Sequence, residues 1–459
     1  MIMISFFCGT PGYFENAVTR HNTLMQIIFS GKLPQVFTGC CWLLSSKKNS
    51  LYMSINYATL LAGLLRQLKE LPLHPEKKKA FVGFDGFIDT VKKAVKKRNE
   101  EQAICFETLG EFSDRIRAAT GRSGQIEMLT ERVKLGGNAP ILSNALGRLG
   151  IKSWCLGSMG FPEKHTVFSK LSDQCEVMSA IDPGQSEAIE FSDGKMIFSE
   201  LGVFERYDWA YIVKIMGLEK IRQAVFGSDL LAFVDWANVP HASDIWQGML
   251  QDIIKPSHRK DFIFLFDLCD PSKKTAEEIE EVLDLISCFS HYGKVTLGLN
   301  ENETLRIWCA LHGVDIAEAT NKNAVPALME AGDALYKTMR IDCLLVHPID
   351  RSLAYQGREV HELQGRLVTQ PKVLTGGGDN LNAGYCLGQL YGFSIEHCLL
   401  LGMAASGAYI ENGESPDLPA IEQYICAWMS DLAQHEEKLP RTLALGHGVI
   451  DFHSRAHCR

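Results

Sequence analysis

Three glycines, Gly376, Gly377 and Gly378, run into a carboxylate, Asp379, where a helical pattern begins. Glycine loses more backbone freedom on folding than any other residue, so propensity alone does not put three together. Such a loop bares successive backbone N–H groups at a helix N-terminus, where the dipole also favours an anion. A carboxylate at the mouth of an anion site is otherwise unwelcome there. It fits a base that takes a proton from an alcohol while the neighbouring amides hold a phosphoryl group. The plainer reading is a tight turn before a packed helix, and Gly384 and Gly388 within that helix suit close packing.

Other residues have chemistry of their own. Gly136-Gly137-Asn138 precedes a helical stripe of Ile141, Leu142, Ala145, Leu146 and Leu149, closed by Gly150. Two glycines make a strand-to-helix turn, and the third glycine of a dinucleotide loop is missing. Asn138 either caps the helix or bonds a ligand hydroxyl. Asn300 and Glu303 lie three apart at a helix start and point the same way. Helix capping is one use for them; holding a hydrated magnesium, which keeps most of its waters, is another. Asp85 either caps a turn or accepts hydrogen bonds from a polyhydroxylated substrate. Asp267 and Asp270 carry the same ambiguity, with Pro271 favouring a turn at Asp270, and Asp235-Trp236 is a further candidate near a ligand. The 14 histidines show no metal spacing.

Elements must bring these residues together. Short apolar stretches at 80–85, 230–234, 263–266, 295–299 and 343–347 alternate with helical patterns such as 275–285 and 301–311. That rhythm predicts a parallel sheet covered by helices on both faces. Ligands of such sheets bind outside the carboxyl ends of the strands, and Asp85, Asp235, Asp267, Asn300 and His347 fall at those ends. Stretches 187–191 and 195–198 flank Ser192-Asp193-Gly194, a hairpin signal.

The chain has 459 residues, 46% apolar and 22% charged, with a formal net charge of -9. That balance argues against a dedicated nucleic-acid binder, whose affinity rests on clustered Lys and Arg. The basic run Lys92-Lys93 and Lys96-Lys97-Arg98 reads as a solvated helix face. Fourteen cysteines are scattered with no Cys-x-x-Cys pair. They read as reduced, buried small hydrophobes of a cytoplasmic protein. No apolar run is long enough to span a membrane. Residues 1–52 lack a helical or strand period and read as a dispensable extension. A helical stripe from Ile55 to Leu68 then predicts an N-terminal helix within 53–79.

In order, the chain presents a strand-end Asp, Gly-Gly-Asn, a hairpin, Asn-x-x-Glu and Gly-Gly-Gly-Asp. Over roughly residues 80–435 this resembles the ribokinase-like (PfkB-type) carbohydrate kinase family. The resemblance implies a Rossmann-like three-layer α/β/α fold with a small β lid, its strands around 151–205, and a tail at 436–459. It implies transfer of the γ-phosphoryl group of ATP to a hydroxyl of a sugar-like acceptor. In that family Asp379 would be the base and the amides of Gly376, Gly377 and Gly378 the anion hole. Asn300 and Glu303 would organise Mg2+ and its waters, and Asp85, Gly136, Gly137 and Asn138 would line the acceptor site. Thr375, Ala405 and Asn412 would lie along the nucleotide, since 401–416 resembles the helix and loop beside the adenine. Family lids also imply a homodimer. Three departures stand out. Val373 replaces the acid that begins the family's C-terminal signature, Ile141 replaces an Asn of the first helix, and His347-Pro348-Ile349-Asp350-Arg351 replaces the usual Thr-x-Gly loop. Arg351 is the residue there to charge-pair with ATP phosphates. A nucleoside kinase and a non-catalytic sugar- or nucleotide-binding protein are the alternatives. A dinucleotide oxidoreductase is disfavoured because no strand-linked Gly-x-Gly-x-x-Gly occurs.

Overall fold

From Lys79 onward, wholly apolar strands alternate with amphipathic helices, and each strand core must be covered on both sides. The computed structural model describes residues 56–71, 77–100, 102–319, 321, 323–373 and 375–438, with side chains up to 434. The proposed extension 1–52 and the tail beyond 438 lie outside the described residues. The chain divides after Asn56, and the described elements belong to the Tyr57–Arg459 unit. The expected N-terminal helix is Tyr57–Lys69, with Leu61, Leu64 and Leu68 buried.

The strands are β1 (Lys79–Gly83), β2 (Phe87–Arg98), β3 (Ala103–Cys105), β4 (Glu127–Gly136), β5 (Lys152–Gly157), β6 (Cys175–Ser179) and β7 (Gly184–Phe191). They continue with β8 (Gly194–Glu200), β9 (Leu230–Phe233), β10 (Phe262–Asp267), β11 (Gly293–Leu299), β12 (Cys343–Val346), β13 (Arg351–Gln356) and β14 (Glu359–Gln364). Nine form one sheet in the order β14-β13-β12-β11-β10-β9-β1-β5-β6. From β12 to β6 every pairing is parallel, and β13 and β14 add an antiparallel edge. Side chains alternate between two cores. On β1, Phe81 packs with Phe233, Phe264 and Phe266 on one face. Ala80 and Val82 pack on the other, with Leu142, Leu345 and Leu387. This is the three-layer α/β/α arrangement expected from the alternation of elements.

A second, five-stranded sheet is the lid. Its order is β3-β2-β7-β8, with β4 also on β2. The lid starts at Phe87, earlier than the expected 151–205, while β5 and β6 within that range belong to the large sheet. The basic run is also corrected: Lys92 to Arg98 is strand, not helix. The reason is local. Register shifts at Val91/Lys92 and Val95/Lys97 break the two-residue alternation. The buried residues Phe87, Ile88, Val91, Ala94 and Val95 then fall at spacings that imitate a helix. The lysines are paired with acids across the lid, Lys92 with Glu187 and Lys93 with Glu131.

Candidate active site

The ends of β1, β9, β10 and β11 and the start of helix Gly377–Leu390 meet under the lid. There they enclose a cavity of about 280 Å³. Asp89, Asn138, Asp235, Asp267, Glu303 and Asp379 contribute to its wall, with Gly376 and Gly378. On the lid, alternation along β8 turns Ile197 and Ser199 towards the cavity, while β2 supplies Phe87 and Asp89 and β7 supplies Ser186.

Gly376 precedes the helix at φ 91°. A Cβ there would lie 2.8 Å from the Tyr409 hydroxyl, so both conformation and space demand glycine. The Tyr409 hydroxyl donates to the Thr375 carbonyl at 2.8 Å, and the Asn380 amide donates to the Gly376 carbonyl at 2.8 Å. These bonds anchor two loop carbonyls to side chains of the helices behind the loop. Asp379 follows in the first turn, 6% exposed. Its buried Oδ1 has no hydrogen-bond partner among the described residues. Burial pushes its carboxyl well above the ordinary range, and the charges of Asp267 and Asp235 push the same way; the Asn138 side chain opposes them.

Asp85 is wholly buried and lies beneath the cavity wall. Its Oδ2 accepts the Asn138 N–H and its Oδ1 the Ala139 N–H, both at 2.7 Å. It therefore caps helix Asn138–Arg148, a helix whose own N-cap residue, Gly137, has no side chain. Gly137 sits at φ 91°, and a Cβ there would lie 2.6 Å from Asp85 Oδ2. Burial raises the Asp85 carboxyl strongly, and the neighbouring Asp235 carboxyl adds to it. Asn138 lines the cavity and accepts the Cys269 thiol at 3.3 Å.

Asn300 and Glu303 form a reciprocal capping box on helix Glu301–Leu311. Glu303 N–H donates to Asn300 Oδ1 at 2.9 Å, Asn300 N–H to Glu303 Oε2 at 2.9 Å, and Asn300 Nδ2 to Glu303 Oε1 at 2.7 Å. Both capping and cavity-lining roles are thus present at once. Burial, with Asp267 next, pushes the Glu303 carboxyl up to about 8. Asp267 itself is pushed up to about 6 by burial, despite accepting the Asn382 amide and the Cys269 N–H.

The nucleotide candidates lie apart. Thr375 lines the cavity. The Arg351 guanidinium pairs with Asp350 and with Glu362 on β14, and it lines neither cavity. Ala405 is buried in helix Ile395–Asn412, where its Cβ approaches Gly384 of the neighbouring helix. Asn412 is the exposed last residue of that helix. A second, larger cavity of about 890 Å³ shares Asn300 and His347 with the first. Leu305, Val325, Pro326, Leu328 and Ile349 give it an apolar wall. His347 sits at the junction; its Nε2 is buried without a partner among the described residues, and burial pushes the ring down to about 4, so it is neutral near pH 7.

Sequence reasoning passed over Asp89. It is register-paired with Lys134 on β4 and Ser186 on β7; burial raises its carboxyl, while Lys134, Lys195 and Ser186 stabilise the carboxylate. A signal existed in Gly136, where a Cβ would lie 2.2 Å from Asp89 Oδ1. The first of the two glycines leaves room for this carboxylate and the second for Asp85.

The model of prokaryotic ketohexokinase matches residues 59–428, which takes in both sheets, the glycine loop and the cavity. The chain belongs to the prokaryotic ketohexokinase family. This family member is a carbohydrate kinase. It is 22% identical over 366 residues to a ketohexokinase of Haloferax volcanii, covering 79% of this chain and 94% of that relative. An adenosine kinase from Sinorhizobium meliloti aligns over 77% of this chain and 99% of its own, at 17% identity and a TM-score of 0.52. A ribokinase from Thermotoga maritima aligns over 76% and 99%, at 15% identity and a TM-score of 0.51. At these identities the two structures establish the ribokinase-like fold.

Proposed function

We propose that this kinase moves the γ-phosphoryl group of ATP to a hydroxyl of a ketohexose. The observation that carries the reading is Asp379: a buried carboxylate with an open Oδ1, in the first turn behind the glycine loop and facing the cavity. The acceptor class rests on the matched family and on the Haloferax volcanii ketohexokinase.

The cavity supports a sugar. Asp89, Ser186, Asp235 and Asn238 offer acceptors and donors for several hydroxyls, beside the apolar Phe87 and Ile141. Asp379 takes the proton of the attacking hydroxyl, whose oxygen forms a bond to the γ-phosphorus. The bond from that phosphorus to the bridging oxygen breaks, and its electron pair leaves on the β-phosphate of ADP. A carboxylate held in an apolar setting binds a proton more tightly than one in water, which strengthens it as a base once ionised. The amides of Gly376, Gly377 and Gly378 stabilise charge on the moving group without reorganising, and losing one such donor typically costs about 3 kcal/mol. The apolar part of the larger cavity suits the base of the nucleotide, with phosphates running past Asn300 and His347 to the glycine loop.

Mg2+ fits the donor set. Asp267 repels both Glu303 and Asp379, and a hydrated divalent cation, which needs few protein oxygens, offsets that repulsion. Asn300 and Glu303 would hold it through its waters, and when bound it neutralises phosphate charge. Exposed Met196 and Phe198, on the outer side of β8, are where a lid-to-lid dimer would bury surface.

The test is ADP formation with Mg2+, ATP and a panel of ketohexoses, aldoses and nucleosides. Asp379→Asn should keep its fold and nucleotide binding while turnover falls by several orders of magnitude. A near-normal rate in that variant overturns the base assignment. Activity confined to nucleosides overturns the acceptor.

A further inference from the structure

The lid carries many cations, and nearly all face carboxylates. Lys92, Lys93, Lys96, Arg98 and Arg132 each pair with a glutamate of the lid or its supporting helix. Lys195 differs. Its register partner on β7 is Glu190, but the Glu190 carboxylate is engaged by Arg132. The Lys195 ammonium instead crosses out of the lid and donates to the Thr375 hydroxyl. Thr375 immediately precedes Gly376, so a half-buried positive charge stands at the mouth of the anion loop, hydrogen-bonded to a neutral hydroxyl, with the Glu190 and Asp89 carboxylates nearby.

The chain holds it there by design of the hairpin. The Asp193 carboxylate accepts the Leu109 N–H at 2.9 Å, and Ser192 donates through both N–H and hydroxyl to the Glu107 carbonyl. The hairpin tip is thereby tied to the segment leading into helix Leu109–Arg117. Along β8, Lys195 shares its side of the strand with the cavity-lining Ile197 and Ser199. Burial and then the nearby Lys134 lower the ammonium's proton affinity, the Glu190 and Asp89 carboxylates offset part of that, and an arriving anion offsets more.

We propose that Lys195 is a catalytic residue that touches the γ-phosphoryl group, so that the lid supplies charge to the transfer as well as excluding water. This rests on the phosphoryl-transfer reading given above. In that transfer the acceptor oxygen forms its bond to phosphorus, its proton passes to Asp379, and the leaving electron pair goes to ADP. Lys195 keeps its protons throughout and stabilises the charge on the oxygens of the moving group. The glycine-loop amides and Lys195 then approach that group from two separate sheets. Closure of the lid and completion of the anion site become one event.

The experiment compares Lys195→Met, Lys195→Arg and Asp379→Asn with the full-length enzyme. Lys195→Met should lower kcat by about 10²- to 10³-fold, the range for losing one such donor, with the KM for the ketohexose changed less than about threefold. Lys195→Arg should restore a substantial part of kcat. A second readout needs no turnover: ADP with aluminium fluoride, a mimic of the transferring phosphoryl group, should bind tighter than ADP alone to wild type. Lys195→Met should lose that tightening and keep its affinity for ADP. Retained tightening, or an unchanged kcat, overturns the role of Lys195. A large rise in sugar KM alone also overturns it, since the lysine would then serve the acceptor. If Asp379→Asn is inactive and Lys195→Met is not, only this inference fails. If wild type is inert towards every acceptor, the phosphotransfer reading fails, and the aluminium fluoride titration still decides the contact.

Discussion

The Asp85 carboxylate receives the backbone N–H of Asn138 at 2.7 Å, with its second oxygen on Ala139. An acid expected to contact the sugar is thereby the cap of the helix that presents Asn138 to the cavity. Removing a buried cap leaves two N–H groups unsatisfied. Asp85→Ala should therefore lose about 2–3 kcal/mol of stability, read from urea unfolding. Unchanged stability with a raised sugar KM would instead return Asp85 to direct substrate contact.

Asp89 occupies the place on the cavity wall first expected of Asp85. Asp89→Ala should raise the ketohexose KM at least tenfold and leave the nucleotide KM within about twofold, because it removes acceptors for sugar hydroxyls alone. Gly136→Ala should act in the same direction, since its Cβ would lie 2.2 Å from Asp89 Oδ1. Initial rates with each substrate varied in turn check both.

The larger cavity is read as the seat of the nucleotide base. Leu305→Trp fills part of it and should raise the ATP KM about tenfold with little change in sugar KM. If Leu305→Trp is silent and Asn412→Ala raises the ATP KM, the base lies at the end of helix Ile395–Asn412 instead.

Asp267 has a testable pH signature. Its folded pKa is raised to about 6 by burial, above its unfolded value. The folded state therefore binds the extra proton between the two values, and stability falls as pH rises from about 4 to about 6. The contribution is fully present below that window. Urea midpoints for wild type should show this decline, superimposed on other groups. Asp267→Asn should flatten it, although the lost acceptor on Cys269 or Asn382 lowers the whole curve. Equal slopes in the two proteins would refute the shift.

Much of the main fold could be read along the chain. β9 and β12 are short and buried on both faces, and such strands announce a parallel sheet whatever surrounds them. The capping box at Asn300 and Glu303 is complete within four residues. The lid was harder. β2 hid behind two register shifts, because a bulge changes the side-chain period that identifies a strand. Asp85 and Asp89 stand four residues apart, and nothing local says which enters the cavity. That depends on where β1 ends and the lid begins, and on which carboxylate each of Gly136 and Gly137 accommodates.

The sequence by itself determined the glycine cradle with Asp379 behind it and the acids at the strand ends. These follow from backbone conformation and helix-terminus electrostatics, which act over a few residues. Tertiary structure decided the rest: Asp85 as cap, Asp89 on the cavity wall, Arg351 on Glu362, and Lys195 on Thr375 from 180 residues away. Charge and hydrogen bonding depend on distance in space, and a spacing along the chain fixes that distance only within a single element.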